Sequence, residues 1–303
     1  MNEPLPNLVI AGVEKAGTTS LFNYLGQHPD ICASLVKELG FFLTEKRASN
    51  YMVSFEDYAR QFSHCQGERY RLEASPAYVS SGISIAREMK QTLDRPKVIV
   101  TLRDPTARLW SAYRFRRSQG HLEEQPRLEL AIDHWQRRTA EPSGTLTRSP
   151  LSVGRYADYL GDWLAELGDD LMVVFAEHLA ADPADVTRRI CRWLDVDDTV
   201  AYHLDYTSHN ATFTPRSRLL ARAAYRSRRY TNWWLRKAPP LRAALRGAYG
   251  MINADNRTTE RLDPAQAAFL DDYYGESNAA LAGLLKDAGY EQFPAWLERH
   301  ATP

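Results

Sequence analysis

A chain of 303 residues with 44% hydrophobic and 25% charged side chains is long enough to bury one large α/β core, or a core with an appendage. Its 38 basic and 38 acidic residues cancel, which gives no sign of a nucleic-acid partner. The cysteines (Cys32, Cys65 and Cys191) are odd in number and widely spaced, a pattern that predicts a reducing compartment and no disulfide framework. The opening MNEPLPN lacks the basic start and apolar region of a signal peptide, and no apolar run approaches membrane-spanning length, so a cytoplasmic location is expected.

Leu8, Val9 and Ile10 predict a buried parallel strand, and Leu21, Phe22 and Leu25 recur at helical spacing. Between them lie Gly12, Lys15, Ala16, Gly17, Thr18, Thr19 and Ser20. A strand–loop–helix turn of this kind offers unpaired backbone N–H groups and a positive helix end to an anion, so the segment reads as a phosphate-binding loop. The nucleoside-triphosphate loop sets its lysine after the second glycine and follows it with a metal-holding hydroxyl. Here Lys15 stands two positions before Gly17, and Thr18 follows that glycine directly. An ordinary βα turn capped by Thr18 or Thr19 is the alternative.

Further along, Tyr70 to Ala74 is a short strand followed by a helix to about Leu93, and Val98, Ile99, Val100 and Leu102 form the next buried strand. Asp104-Pro105 reads as a helix start, with Asp as N-cap and Pro at the first helical position. Arg103 then lies at the carboxyl end of a parallel strand, where open α/β sheets bind ligands. Ser111 follows two helical turns on, so both side chains can converge on one anion; a strand-end salt bridge is the other reading of Arg103. Helical patterns cover about 105–119 and 126–138, and a loop rich in Pro, Gly, Ser and Thr spans 140–153. Tyr156, Tyr159, Leu160, Trp163, Leu164 and Leu167 mark one helix face, Leu171 to Phe175 another strand, and Asp182-Pro183 and Asp263-Pro264 two more helix starts. The alternation predicts an α/β fold: a central parallel sheet flanked by helices on both faces, with the anion loop near the N-terminus and a helical C-terminal appendage. That appendage, about 207–262, includes the stretch 216–246, rich in arginine and holding Trp233 and Trp234 but no acidic residue. It reads as a lid or acceptor-side element, or as helices whose arginines face solvent.

Lys15-Ala16-Gly17-Thr18-Thr19-Ser20 resembles the 5′-phosphosulfate loop of the sulfotransferases that use 3′-phosphoadenosine-5′-phosphosulfate (PAPS). Leu102-Arg103-Asp104-Pro105 through Arg108, Ser111 and Tyr113 resembles their 3′-phosphate motif. Gln27-His28-Pro29-Asp30-Ile31, Lys37-Glu38-Leu39-Gly40-Phe41-Phe42 and Glu73-Ala74-Ser75-Pro76-Ala77-Tyr78 are most similar to the heparan-sulfate glucosaminyl branch and its bacterial relatives. The similarity covers roughly residues 7–115, with Gly154-Arg155-Tyr156 beyond it. The resemblance implies a single sulfotransferase domain over 1–303. It implies transfer of a sulfuryl group from PAPS to a hydroxyl, less so an amine, of a carbohydrate or glycosylated small molecule. A kinase- or ATPase-like enzyme and a non-catalytic nucleotide-binding protein are the alternatives; the first calls for Gly-Lys-Ser/Thr and a magnesium-binding carboxylate, and the second has no need of Glu38.

By the same resemblance, Lys15 neutralises the bridging oxygen between phosphate and sulfuryl group. Ala16, Gly17, Thr18, Thr19 and Ser20 hold the 5′-phosphate, and Arg103 and Ser111 the 3′-phosphate. Glu38 stands where the glucosaminyl enzymes keep a catalytic glutamate; a carboxylate beside the rings of Phe41 and Phe42 would have a raised pKa, suited to a general base, and a solvated loop glutamate paired with Lys37 is the alternative. His64 and His121 are spare candidates for the base. His28, before Pro29, is expected to cap or pack at a helix end. One departure is clear: relatives carry a lysine where this chain has Ala74, and Glu73 beside it is expected either to contact acceptor or to sit in a salt bridge. The lysine-rich PAPS loop of that branch is not recognisable, and Arg216 and Arg218 are expected to replace it. Sulfuryl transfer needs no magnesium clamp, and the sequence shows no His/Cys/Asp/Glu cluster at ligand spacing, so no metal is expected.

Overall fold

The computed structural model describes residues 5–43, 54–118, 127–140, 148–207 and 262–301, together with the short strands Thr214–Pro215 and Ala254–Asp255. Its strands are β1 (Leu8–Gly12), β2 (Ile31–Ala33), β3 (Tyr70–Ala74), β4 (Lys97–Leu102) and β5 (Leu171–Phe175), with the pair β6 (Thr214–Pro215) and β7 (Ala254–Asp255) forming a separate antiparallel ribbon. The helices are α1 (Thr18–Leu25), α2 (Phe55–Arg60), α3 (Ile83–Thr92), α4 (Pro105–Ser118), α5 (Leu128–Ala140), α6 (Ala157–Leu167), α7 (Ala176–Ala181), α8 (Pro183–Trp193), α9 (Pro264–Asp287) and α10 (Ala295–Glu298).

The five-stranded sheet runs in the order β2-β3-β1-β4-β5, and every pairing in it is parallel. β1 is central, registered as Leu8 on Leu72 on one side and Val9 on Val98 on the other. Because side chains alternate across a strand, Val9 and Ala11 face one layer of helices and Leu8 and Ile10 the other, all completely buried. The first layer packs Met89 of α3, Trp163 of α6 and Leu281 of α9 against the sheet. The second packs Leu21 and Leu25 of α1 with Val186 and Ile190 of α8. Burial on both faces explains why these strands read as continuous apolar runs rather than as alternating ones.

The chain therefore has the expected doubly covered parallel sheet. Both expected Asp-Pro starts are N-caps: Asp182 accepts from the Asp185 amide and Asp263 from the Ala265 amide. The segment 216–246, with Arg216 and Arg218, lies outside the described residues, as does His121.

The expectation of no disulfide fails. Cys32 and Cys65 are joined by a disulfide, with Cα atoms 5.8 Å apart, and only Cys191 is free. Cys191 is buried, which pushes its thiol up to about 11. Three widely spaced cysteines gave no hint of the pair, because the contact exists only once β2 lies beside the turn that follows α2.

Candidate active site

The loop after β1 is built from backbone that only a few residue types accept. Gly17 caps α1 at φ 86°, in the left-handed region, where glycine carries no steric penalty. Gly12 has no room for a side chain: a Cβ there would meet the Val79 Cγ1 at 2.3 Å. The loop is tied to β4 by the Val13 amide donating to the Thr101 carbonyl at 2.8 Å, and by the Thr101 hydroxyl donating to the Gly12 carbonyl at 2.9 Å. At its far end the first-turn amides of α1 have no carbonyl of their own helix to bond. Thr18, Thr19 and Ser20 stand on that turn, in the place of an anion site.

Arg103, at the end of β4, turns back onto this loop: its Nη1 donates to the Lys15 carbonyl at 3.1 Å. The two segments singled out in the sequence thus meet at a hydrogen bond, and Arg103 has no salt bridge to an acid among the described residues. The Arg103 carbonyl in turn accepts from the Tyr156 hydroxyl at 2.7 Å. That bond gives Gly154-Arg155-Tyr156 its part, bracing the strand end. Asp104 caps α4 by accepting from the Thr106 amide at 2.8 Å, and Ser111 is half-buried on α4.

Lys15 points its ammonium over the Phe115 ring, 4.2 Å from the centroid. Burial lowers its pKa below the ordinary lysine range; Arg103 and Lys37 push the same way, and Glu14 and Glu38 oppose them. Glu38, Lys37 and Arg103 thus share one electrostatic neighbourhood with Lys15. Glu14 is held by two arginines of α4, with Arg116 Nη2 at 3.4 Å and the fully buried Arg108 Nη1 at 3.9 Å. Neither Glu14 nor Phe115 stood out in the sequence, because an acid inside an anion loop and an aromatic on a helix carry no motif.

Glu38 lies on the loop after β2, held by its amide donating to the Ala74 carbonyl at 2.9 Å. The apolar seat expected for it is not found: its side chain is 51% exposed and pairs with Lys37 Nζ at 3.0 Å, while Lys37 is only 15% exposed. Phe41 stacks instead on Tyr58, with ring centroids 4.2 Å apart, and Phe42 packs edge-on against Tyr78 at 5.6 Å. Glu73 makes no strand-end salt bridge. It is wholly buried and bonded by the hydroxyls of Tyr58, Ser75 and Tyr78.

Of the described histidines weighed in the sequence, His28 is packed and His64 is exposed. His28 is buried, and its Nε2 lies 2.9 Å from the Asp197 carbonyl. His64 Nε2 lies 3.1 Å from the Ala33 carbonyl and 3.3 Å from Cys32 Sγ. Cys32, His64 and Cys65 form, among the described residues, a group close enough in space to share a metal. Their two sulfurs are bonded to each other, and a thiolate is what a metal would require.

A profile described as Sulfotransferase domain matches residues 5–282. The chain belongs to the sulfotransferase domain family. It is 25% identical over 320 residues to a bifunctional heparan sulfate N-deacetylase/N-sulfotransferase of Drosophila melanogaster, a match that takes in 98% of this chain and 27% of that protein. It is 33% identical over 133 residues to a membrane-associated sulfotransferase of Dictyostelium discoideum, covering 43% of this chain and 27% of the relative. The chain thus spans under a third of the length of these curated relatives. A sulfotransferase from Alicyclobacillus acidocaldarius shares the fold with a TM-score of 0.68 at 23% identity, over 96% of this chain and 98% of that one. Family membership disfavours the kinase-like alternative.

The cytoplasmic location expected from composition is corrected by the same comparison, since one relative is named as membrane-associated. The Cys32–Cys65 disulfide also removes the cysteine argument for a reducing compartment, as disulfides persist in oxidising ones. No helix among the described residues is long and apolar enough to cross a membrane.

Proposed function

We propose that this chain transfers the sulfuryl group of PAPS to a hydroxyl of a carbohydrate or glycosylated small molecule and releases adenosine 3′,5′-bisphosphate. The observation that carries the reading is the bond from Arg103 to the Lys15 carbonyl. It sets a strand-end guanidinium against the crest of an anion loop, so that one ligand bearing two separate phosphates meets both. The donor set fits such a ligand: first-turn amides and hydroxyls of Thr18, Thr19 and Ser20 for the 5′-phosphate, and Arg103 with the Ser111 hydroxyl for the 3′-phosphate.

In this reading Lys15 stabilises the charge that develops on the leaving bridging oxygen, and Glu38 takes the proton from the attacking acceptor. Lys37 pairs with that carboxylate at 3.0 Å. The chemistry asks mostly for positioning and charge stabilisation, as in phosphoryl transfer. The relatives named as N-sulfotransferases support a glucosaminyl-type acceptor, so amines belong beside hydroxyls in any acceptor panel. Two measurements test the proposal: calorimetric titration with 3′,5′-ADP, set against ATP with magnesium, and transfer of label from radioactive PAPS to saccharides bearing free hydroxyls or amines. Binding of 3′,5′-ADP without magnesium, together with labelled product, is the expected result. Magnesium-dependent ATP binding with no affinity for 3′,5′-ADP overturns it.

A further inference from the structure

Glu73 is a carboxylate taken entirely out of water at the carboxyl end of β3. Such a group persists only if its oxygens are bonded, and here the donors are hydroxyls. Tyr58 Oη donates to Oε2, while Ser75 Oγ and Tyr78 Oη each donate to Oε1 at 2.7 Å. A hydroxyl has one proton to give. Having given it to Glu73, Ser75 and Tyr78 can turn only lone pairs outward, and both face the backbone of the loop that carries Lys37 and Glu38. Ser75 Oγ accepts from the Gly40 amide at 2.9 Å, and Tyr78 Oη from the Phe42 amide at 3.5 Å. Tyr58, the remaining partner, is the ring on which Phe41 stacks at 4.2 Å. Each residue whose hydroxyl binds the carboxylate therefore also contacts a residue of 40–42, Ser75 and Tyr78 through the hydroxyl and Tyr58 through its ring.

That loop needs holding. Glu38 has φ 66° and Gly40 φ 66°, and a non-glycine residue in the left-handed region persists where its surroundings over-determine it. Burial raises the pKa of Glu73 and the three hydroxyls oppose that rise, while burial beside the carboxylate pushes the phenols of Tyr58 and Tyr78 well up, so both phenols remain donors.

We propose that Glu73 is a positioning residue for sulfuryl transfer: by fixing the proton direction of Ser75 and Tyr78 it holds the 38–42 loop, and with it Glu38 and Lys37, against the donor loop. The proposal rests on the sulfotransferase reading above, and its test separates the two. Wild type, Ser75→Ala, Glu73→Gln and Tyr78→Phe are compared for 3′,5′-ADP affinity and stoichiometry, for kcat and KM with radiolabelled PAPS and a heparin oligosaccharide stripped of its sulfates, and for amide exchange over residues 36–43. Failure of the wild type to bind 3′,5′-ADP would refute the underlying reading rather than this one. The expected result is a fall in kcat of about tenfold to hundredfold, up to what a misplacement of about 1 Å costs. The KM for PAPS and the 3′,5′-ADP affinity and stoichiometry stay unchanged, and exchange over 36–43 quickens. Glu73→Gln may be replaced in the comparison by Ser75→Ala alone if the former does not fold, since Ser75→Ala deletes the link and leaves the carboxylate in place. A kcat within twofold of wild type for Ser75→Ala, unaltered exchange over 36–43, or losses of kcat that merely follow lost 3′,5′-ADP stoichiometry overturn the proposal.

Discussion

The proposed role of Lys15 requires a full charge at a place where burial disfavours it. With its pKa lowered chiefly by desolvation, the ammonium begins to lose its proton below the pH at which an ordinary lysine titrates, about 10.4. The protonated form is the one that neutralises the leaving oxygen, so kcat/KM for PAPS should decline on the alkaline side at a lower pH than an unperturbed lysine allows. A bound donor adds negative charge beside the ammonium and raises its pKa again, so the alkaline limb of kcat should lie above that of kcat/KM. Rate profiles measured from neutrality to about pH 11, past the ordinary lysine position, check both; coincident limbs at that position would remove Lys15 from the role. Lys15→Ala should cost about 10² to 10³ in kcat, the range for deleting a preorganised electrostatic donor. Arg103→Ala should instead weaken 3′,5′-ADP binding by about tenfold to hundredfold, since a hydrogen bond to a charged group is worth about 1.5–3 kcal/mol. Glu38→Gln should lower turnover at least about a hundredfold, with donor affinity retained, and a much smaller loss would reassign the base. The sequence singled out Lys15, Arg103 and Glu38, with Lys37 as the partner of Glu38, because each stands in a recognisable string. Glu14 and Phe115 were not singled out, since they matter through what the fold brings beside them: the arginines of α4 and the Lys15 ammonium.

At the scale of elements, the strand-to-helix joints do the positioning, and their legibility follows their length. β1, β4 and β5 showed as apolar runs because both of their faces are covered. β2 is three residues long and α2 six, too short to set up a periodic signal, and α7 follows β5 without a loop. The helix after β4 was readable from Asp104-Pro105 alone. Asp104 accepts from the Thr106 amide and, through its own amide, donates to Glu177 Oε1 at 2.9 Å. It therefore joins α4 to α7 as well as capping the helix on which Ser111 stands. Asp104→Ala should cost about 1 kcal/mol of stability, as lost N-caps do, and should weaken 3′,5′-ADP binding more than the loss of folded protein explains, because Arg103 is its neighbour at the strand end. Denaturant melts paired with calorimetry decide the point. An affinity identical to wild type would mean that β4 and Tyr156 hold Arg103 without help from the cap.

For the molecule as a whole, the cross-link divides the site into two parts with different supports. The disulfide closes a loop of sequence separation 33 that contains Lys37, Glu38, Phe41 and Tyr58. The donor loop at 13–20 and the strand end at Arg103 lie outside it, held by β4 and Tyr156. In the chain-entropy account a closed loop of that size stabilises the fold by about 4 kcal/mol. At a few degrees per kcal/mol, reduction should lower the melting temperature by about 10 °C. The two parts of the site should then respond unequally. Cys32→Ser with Cys65→Ser, or dithiothreitol on the wild type, should slow transfer by loosening the loop that carries Glu38, while 3′,5′-ADP affinity at a temperature where the fold is intact stays within about twofold. Thermal melts with and without reductant, followed by calorimetry on the same samples, test the division. If the melting temperature does not move, the cross-link does not constrain the fold. If donor affinity falls in step with transfer, the division of the site into a cross-linked acceptor side and an independent donor side is wrong.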